Sequence, residues 1–331
     1  MKAKLSNRKH FKTFFSVGAM LVVVIAFTIL EPRFLNAANI NNLLSDTAPL
    51  MIMAVGMTPV LLLGSIDLSI GALCSAANVF VITVLIHFQG FIEANPSAIV
   101  LVALIAFSAT MILSMLSGML LGFIHVKTKI PSFIASLAFM SIWASAALLI
   151  QNASVFLPVP LWPTIAWDGI SFGPLGLPLL ISFVITILLY ILLTRTAFGR
   201  GVYAIGGNER TARLAGLPVD RIKITVFAIN GVCTALGAIF LMAKARSAAP
   251  TAGNAFTLMV ISAVVLGGTS LVGGAGNILN TLLGVFIVAM IQNGMNMVGV
   301  NVFWQNIVYG IIILAVIAIN TDRSSRSFAV K

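Results

Sequence analysis

Residues 247–321 contain no Asp, Glu, Lys or Arg. A helix that crosses a bilayer needs about 20 apolar residues, so this stretch alone holds roughly three crossings. Continuous apolar runs recur at 21–30, 99–106 and 311–319. Charged residues make up 8% of the chain, against about 25% in a soluble domain, too few to cover a folded surface in water. A transmembrane β-barrel would alternate over segments of about 10 residues. Unbroken runs point instead to helices, which satisfy every backbone group within one segment in lipid. The expected class is an all-α membrane protein.

The polar breaks divide the chain into about ten transmembrane helices, at about 13–30, 43–63, 70–88, 98–123, 131–150, 175–194, 223–243, 257–272, 277–298 and 303–320. The net charge of +11 reads as cytoplasmic loops rather than a nucleic-acid surface. With the N-terminus inside, Lys2, Lys4, Arg8, Lys9 and Lys12 precede the first helix. Lys127 and Lys129 then fall inside, as do the six cations at 195–223 and Arg323, Arg326 and Lys331. That places 16 of the 19 basic residues on one side, and the bias predicts both termini in the cytoplasm. Glu31-Pro32-Arg33, rather than a small-residue cleavage site, follows the first apolar run, so an uncleaved first helix is expected.

Several chemistries have no residues to carry them. The sequence has no Gly-Lys pair and hence no phosphate-binding P-loop. His10, His87 and His125 are far apart and suit helix ends better than a metal site. Cys74 and Cys233 sit in apolar stretches and read as small packing residues. Ion-coupled carriers keep ionisable groups inside the membrane; here only Asp46 and Asp67 come close, both near helix ends. The chain is not expected to be an enzyme and should bind no cofactor of its own. A self-sufficient secondary carrier or facilitator is the alternative, separable by testing whether the purified chain transports alone.

Four features stand out. Gly64-Ser-Ile-Asp67-Leu-Ser-Ile-Gly71 puts a carboxylate between apolar runs; Asp67 would cap the third helix or contact a substrate, with Gly71 allowing close packing. Leu266-Gly-Gly-Thr-Ser-Leu-Val-Gly-Gly-Ala-Gly276 has five glycines in eleven residues. It predicts a helix break or tight contact at Gly267 and Gly268. It also matches Leu63–Gly71 at four of nine positions, a faint repeat of the kind built into many transporters. Asn280, Asn293 and Asn296 put amides on one helix, fit either to line a hydrophilic path or to bond neighbouring helices. In the basic loop 195–222, Asn208 is a good N-cap, and Gly216 and Pro218 are stop signals. They predict a short amphipathic helix from Glu209 to Ala215, suited to a partner's groove or an anionic lipid surface.

At these residues the chain resembles the permease subunit of ribose-type ATP-binding-cassette importers, a branched-chain amino acid/ribose permease family. The resemblance spans nearly the whole chain. It is carried by Ala54-Val-Gly-Met-Thr58, Ile66-Asp67-Leu-Ser-Ile-Gly71 and Lys129-Ile-Pro-Ser-Phe-Ile-Ala-Ser-Leu137. Further along it continues in Tyr203-Ala-Ile-Gly-Gly-Asn208, Leu214-Ala-Gly216, Pro250-Thr-Ala-Gly253 and Ala263-Val-Val-Leu-Gly-Gly-Thr-Ser-Leu271. It implies a single transmembrane permease domain of the type II importer kind over 1–331, with 195–222 as a cytoplasmic coupling loop. In that loop Gly207, Asn208, Glu209, Arg210, Thr211, Arg213, Leu214 and Gly216 would dock on an ATPase. It also implies that the chain sits in a bacterial inner membrane with a second permease copy or paralogue, driven by separate cytoplasmic ATP-binding subunits and supplied by a periplasmic or extracellular sugar-binding protein. The cargo would be a monosaccharide or small polyol. Two departures bear on substrate or on a paralogous partner. Phe256-Thr-Leu-Met-Val260 stands where relatives usually carry acidic residues, and Trp143 where they often carry Arg.

Overall fold

The computed structural model describes residues 17–320. The basic N-terminal cluster and the cationic tail, on which the placement of both termini rests, lie outside those residues. Among the described residues, seven helices are long and apolar enough to cross a membrane: α2 (Ala37–Leu62), α3 (Ile70–His87), α5 (Ile99–Thr128), α6 (Ser132–Ile150), α7 (Leu177–Arg195), α10 (Val219–Ala245) and α12 (Ile278–Met297). Three further apolar helices accompany them: α1 (Val17–Leu30), α11 (Phe256–Leu266) and α13 (Val302–Asn320). The remaining α-helices among the described residues are α4 (Gln89–Ala94), α8 (Ala197–Gly207) and α9 (Glu209–Leu214).

α2 forms the core. Its residues 47–62 are buried on every face, which is what an all-round apolar sequence achieves inside a protein. It keeps its helical course through Pro49 and Pro59, as membrane helices can where neighbours and Thr side chains re-satisfy freed backbone groups. Thr58 Oγ1 donates to the Ala54 carbonyl at 2.8 Å, and Thr58 and Thr281 hydroxyls meet at 2.9 Å. α10 packs against α2 and, more extensively, against α5. The α5–α10 seam is built on small residues: a Cβ at Gly118 would overlap the Phe227 carbonyl, and one at Gly231 the Ser114 carbonyl. By contrast α5, α6 and α7 turn exposed faces outward, with Leu104, Ile112, Leu116, Ile142, Leu149 and Leu188 on them. In a membrane those faces meet acyl chains.

The ends depart from expectation in instructive ways. α2 starts six residues early because Asn36 Oδ1 accepts from Ala38 N–H and caps it there. The eighth predicted helix stops at Leu266, not 272. Gly268, Gly273 and Gly274 take φ values of +82°, +94° and +72°, a region L-residues avoid. α4 and α8 were not anticipated. On the side opposite the 195–222 loop, Val155–Phe156 pairs antiparallel with Ser247–Ala248. The Arg246 guanidinium sits there 4.3 Å above the Trp162 ring, and Lys244 pairs with Asp46.

Candidate transport and coupling site

α9 is bounded where its sequence punctuation puts it. Asn208 Oδ1 accepts from Thr211 N–H at 3.0 Å, supplying one of the free donors of a helix start. At the other end Gly216, with φ +79°, closes a Schellman turn: its N–H donates to the Arg213 carbonyl and Leu217 N–H to the Ala212 carbonyl. The helix is then fastened to the span that follows. The buried Lys223 ammonium donates to Glu209 Oε2 at 2.6 Å, and Arg213 donates to Asp220 Oδ1 at 2.7 Å and to Glu209 Oε1 at 3.4 Å. His125 joins from α5. Its Nδ1 donates to the Ile130 carbonyl at 2.7 Å, which leaves Nε2 to accept from Lys223 Nζ at 3.4 Å. Partial burial raises the Glu209 carboxyl, but the bonds and charges of Lys223 and Arg213 outweigh it and hold the group below the usual carboxylate range. Ala212 is the buried face; Arg210, Thr211 and Leu214 point to solvent.

Immediately before α9, three glycine-bearing segments meet backbone to backbone. Gly274 N–H donates to the Leu62 carbonyl at 2.8 Å. A Cβ at Gly206 would overlap that same carbonyl, one at Gly64 would lie 2.7 Å from the Val272 oxygen, and one at Gly274 would lie 2.9 Å from Gly207 Cα. Tyr203 adds a hydroxyl bond to the Gly276 carbonyl at 3.0 Å. The two segments that resemble each other in sequence, 63–71 and 266–274, therefore touch, with the 203–207 part of the 195–222 loop wedged against both.

Asp67 does not cap α3. Ser69 is the residue before the helix and makes no side-chain cap. Instead the Asp67 carboxylate, 3% exposed, accepts from Ser69 N–H at 2.9 Å, from Ser69 Oγ at 2.6 Å and from Asn230 Nδ2 at 2.9 Å. The flanking backbone is held by α6, where Ser132 and Ser136 hydroxyls accept from Ile66 and Leu68 N–H, each at 3.0 Å. Gly71 is buried against Gly253, and its N–H donates to Thr257 Oγ1 at 3.1 Å. The motif segments around Asp67, Ser132 and Gly253 thus converge on one hub. Gly267 lies on the adjacent α11–α12 contact, where a Cβ would come 2.5 Å from the Asn280 carbonyl; the Asn280 side chain is half-buried. Asn293 and Asn296 are elsewhere. From Asn280 to Asn296 α12 rises about 24 Å. Asn293 and Asn39 exchange two amide bonds, at 2.8 and 3.0 Å, and Asn296 Oδ1 accepts from Gln305 Nε2 at 2.7 Å. Both bond neighbouring helices.

Sequence reading missed Asn230, Lys223 and Tyr203. Asn230 carried a usable signal, a lone amide in the middle of an apolar span. Lys223 looked like one loop cation among six.

The structure is a many-helix membrane bundle with a charged, capped loop helix on one side. The chain belongs to the family described as branched-chain amino acid transport system / permease component, whose model matches residues 39–317. It is 36% identical over 315 residues to the ribose import permease protein RbsC of Escherichia coli (strain K12), covering 93% of each chain. It is 36% identical over 319 residues to RbsC of Bacillus subtilis (strain 168), covering 92% of each. It is 30% identical over 379 residues to the xylose transport system permease protein XylH of Escherichia coli (strain K12), covering 96% of this chain and 94% of that one. No solved structure matches the chain significantly.

Proposed function

We propose that this chain is the transmembrane permease subunit of an ATP-binding-cassette importer of the type II kind, moving a sugar or related small polyol across a bacterial inner membrane. On this reading α1, α2, α3, α5, α6, α7, α10, α11, α12 and α13 make ten crossings with both termini cytoplasmic. A second permease copy or paralogue completes the path. Separate ATP-binding subunits supply the energy, so the chain needs no cofactor and catalyses nothing itself, and an external binding protein delivers the cargo. The ribose and xylose names of the relatives support the substrate class.

One observation carries the coupling assignment. α9 is only six residues long, too short to persist alone in water, yet it is capped at both ends and ion-paired to the first turn of a spanning helix. A push on Arg210 or Leu214 therefore moves α10. The test is ATP-driven uptake by the reconstituted complex carrying Arg210→Glu with Gly216→Pro. Proline cannot adopt the positive φ at 216 and removes the N–H of the Schellman turn. Loss of uptake with normal membrane insertion is expected; undiminished uptake removes the assignment.

A further inference from the structure

Two apolar side chains stand out on the side of the molecule that holds the coupling loop. Leu214, at the end of α9, is 82% exposed, and Val272, at the tip of the glycine-rich turn, is 83% exposed. Exposed leucines on α5 or α6 lie along membrane spans and are covered by lipid. These two sit in loops between spans, on the face where the positive-inside rule puts the cytoplasm, and water would be their only cover.

Val272 is also presented rigidly. Its turn is closed by Ser270 N–H donating to the Ala275 carbonyl at 2.8 Å and Gly273 N–H to the Ser270 carbonyl at 3.2 Å. The Val272 N–H is taken by Ser270 Oγ at 3.2 Å. The turn's base is the glycine junction already described, so it is continuous with the start of α9. α9 itself spans about 9 Å, which keeps the two knobs within reach of one partner surface. The charges around them are one-sided. Glu209 and Asp220 are taken up by Lys223 and Arg213. Arg195, Arg200, Arg210 and Arg221 are exposed and have no ion pair among the described residues.

Resting on the permease reading above, we propose that the 269–276 turn is a second footing for the ATP-binding subunit. Val272 and Leu214 enter an apolar cleft on that subunit, and acidic side chains at its rim face the free arginines. The partner then grips the α9 helix and the α11–α12 turn together. Through the junction at Gly64, Gly206 and Gly274 it bears on both of the sequence-related turns at once.

The test uses the full transporter in membranes, with cysteine introduced at position 272, at 214, or in place of the extracytoplasmic Phe172 as a control. The natural Cys74 and Cys233 are buried. After labelling with a photoactivatable maleimide and illumination, the captured protein is identified by mass spectrometry. Positions 272 and 214 should both capture one subunit containing a P-loop peptide, and position 172 should not. Capture from 214 but not 272 overturns the second footing and leaves the coupling reading intact. Capture from neither overturns both, and capture of a second copy of this chain from 272 makes the turn a permease–permease contact instead. In parallel, Val272→Glu should lower ATP-driven uptake at least tenfold while Val272→Leu retains it. At so exposed a position folding is not at stake, so full uptake by Val272→Glu also overturns the proposal.

Discussion

Asn230 donates its amide to Asp67 across 163 residues of sequence, at 2.9 Å, and this bond ties the turn after α2 to the middle of α10. Both groups are buried. Removing the donor leaves a carboxylate with one partner fewer in a place water does not reach. A hydrogen bond to a charged group is worth about 1.5–3 kcal/mol. Asn230→Leu should therefore lower stability by roughly that amount, read as a drop in the thermal midpoint of the detergent-solubilised protein. Asn230→Asp should cost more, because it faces one carboxylate with another. If both variants melt with the wild type, the bond does not hold the turn.

The glycine junction makes a graded prediction. A side chain at Gly206 overlaps the Leu62 carbonyl, and backbone cannot swing aside as a side chain would. Gly206→Ala should cost at or above the ~3 kcal/mol upper end of overpacking penalties. Gly216→Ala meets no neighbour within 4 Å but must hold φ +79°, worth roughly 1–2 kcal/mol. Gly207→Ala has open space and an ordinary φ and should be tolerated. Expression and thermal midpoints of the three variants should fall in that order, and a reversed order would show that the three segments do not meet as described.

How much of this was legible beforehand follows from what apolarity can encode. Lipid and protein interior ask for the same side chains, so the spans stood out. For the same reason α2, buried on all sides, could not be told from α6, which turns Leu137, Ile142 and Leu149 to the membrane. α9 was legible to within a residue because Asn208 and Gly216 act locally, through bonds to groups three or four positions away. Asp67 was visible as an oddity, but its partner was not. The bond to Asn230 depends on how α10 packs, and nothing near position 67 records that. The five glycines at 267–276 announced a break, yet what Gly273 and Gly274 answer to is the backbone of 62–64 and 206–207, segments far off in the chain. Asn293 and Asn296 read equally well as path or glue, since an amide in an apolar helix demands a partner without naming it.

The Glu209 carboxyl gives a pH dependence with a definite sign. Lys223 and Arg213 depress it in the folded protein, so the ion pairs contribute above the unfolded carboxylate value of about 4.3 and are lost as pH falls through the lower folded value. Wild type and Glu209→Gln should differ in thermal midpoint at neutral pH, with the gap closing under acid conditions. The carboxyl is partly exposed, so the gap should be small and should shrink further in high salt. A gap that widens on acidification would mean that Glu209 is not paired as an anion.

The amide clasp between Asn39 and Asn293 separates the two roles left open for the polar face of α12. Each amide both gives and accepts, at 2.8 and 3.0 Å, so truncating either one orphans the other in a half-buried place between α2 and α12. Truncating both removes the orphan along with the bonds, and loss of both partners is far cheaper than loss of one. Interhelical bonds in membrane proteins average about 0.6 kcal/mol and reach about 1.7, and a reciprocal pair belongs toward the upper figure. A double-mutant cycle with Asn39→Ala and Asn293→Ala should give a coupling near 1–1.7 kcal/mol, the double variant being scarcely worse than either single one. Uptake should track stability, with the apparent KM for the cargo unchanged. A path-lining Asn293 predicts the opposite pattern: Asn293→Ala alters KM, Asn39→Ala does not, and the two effects add without coupling.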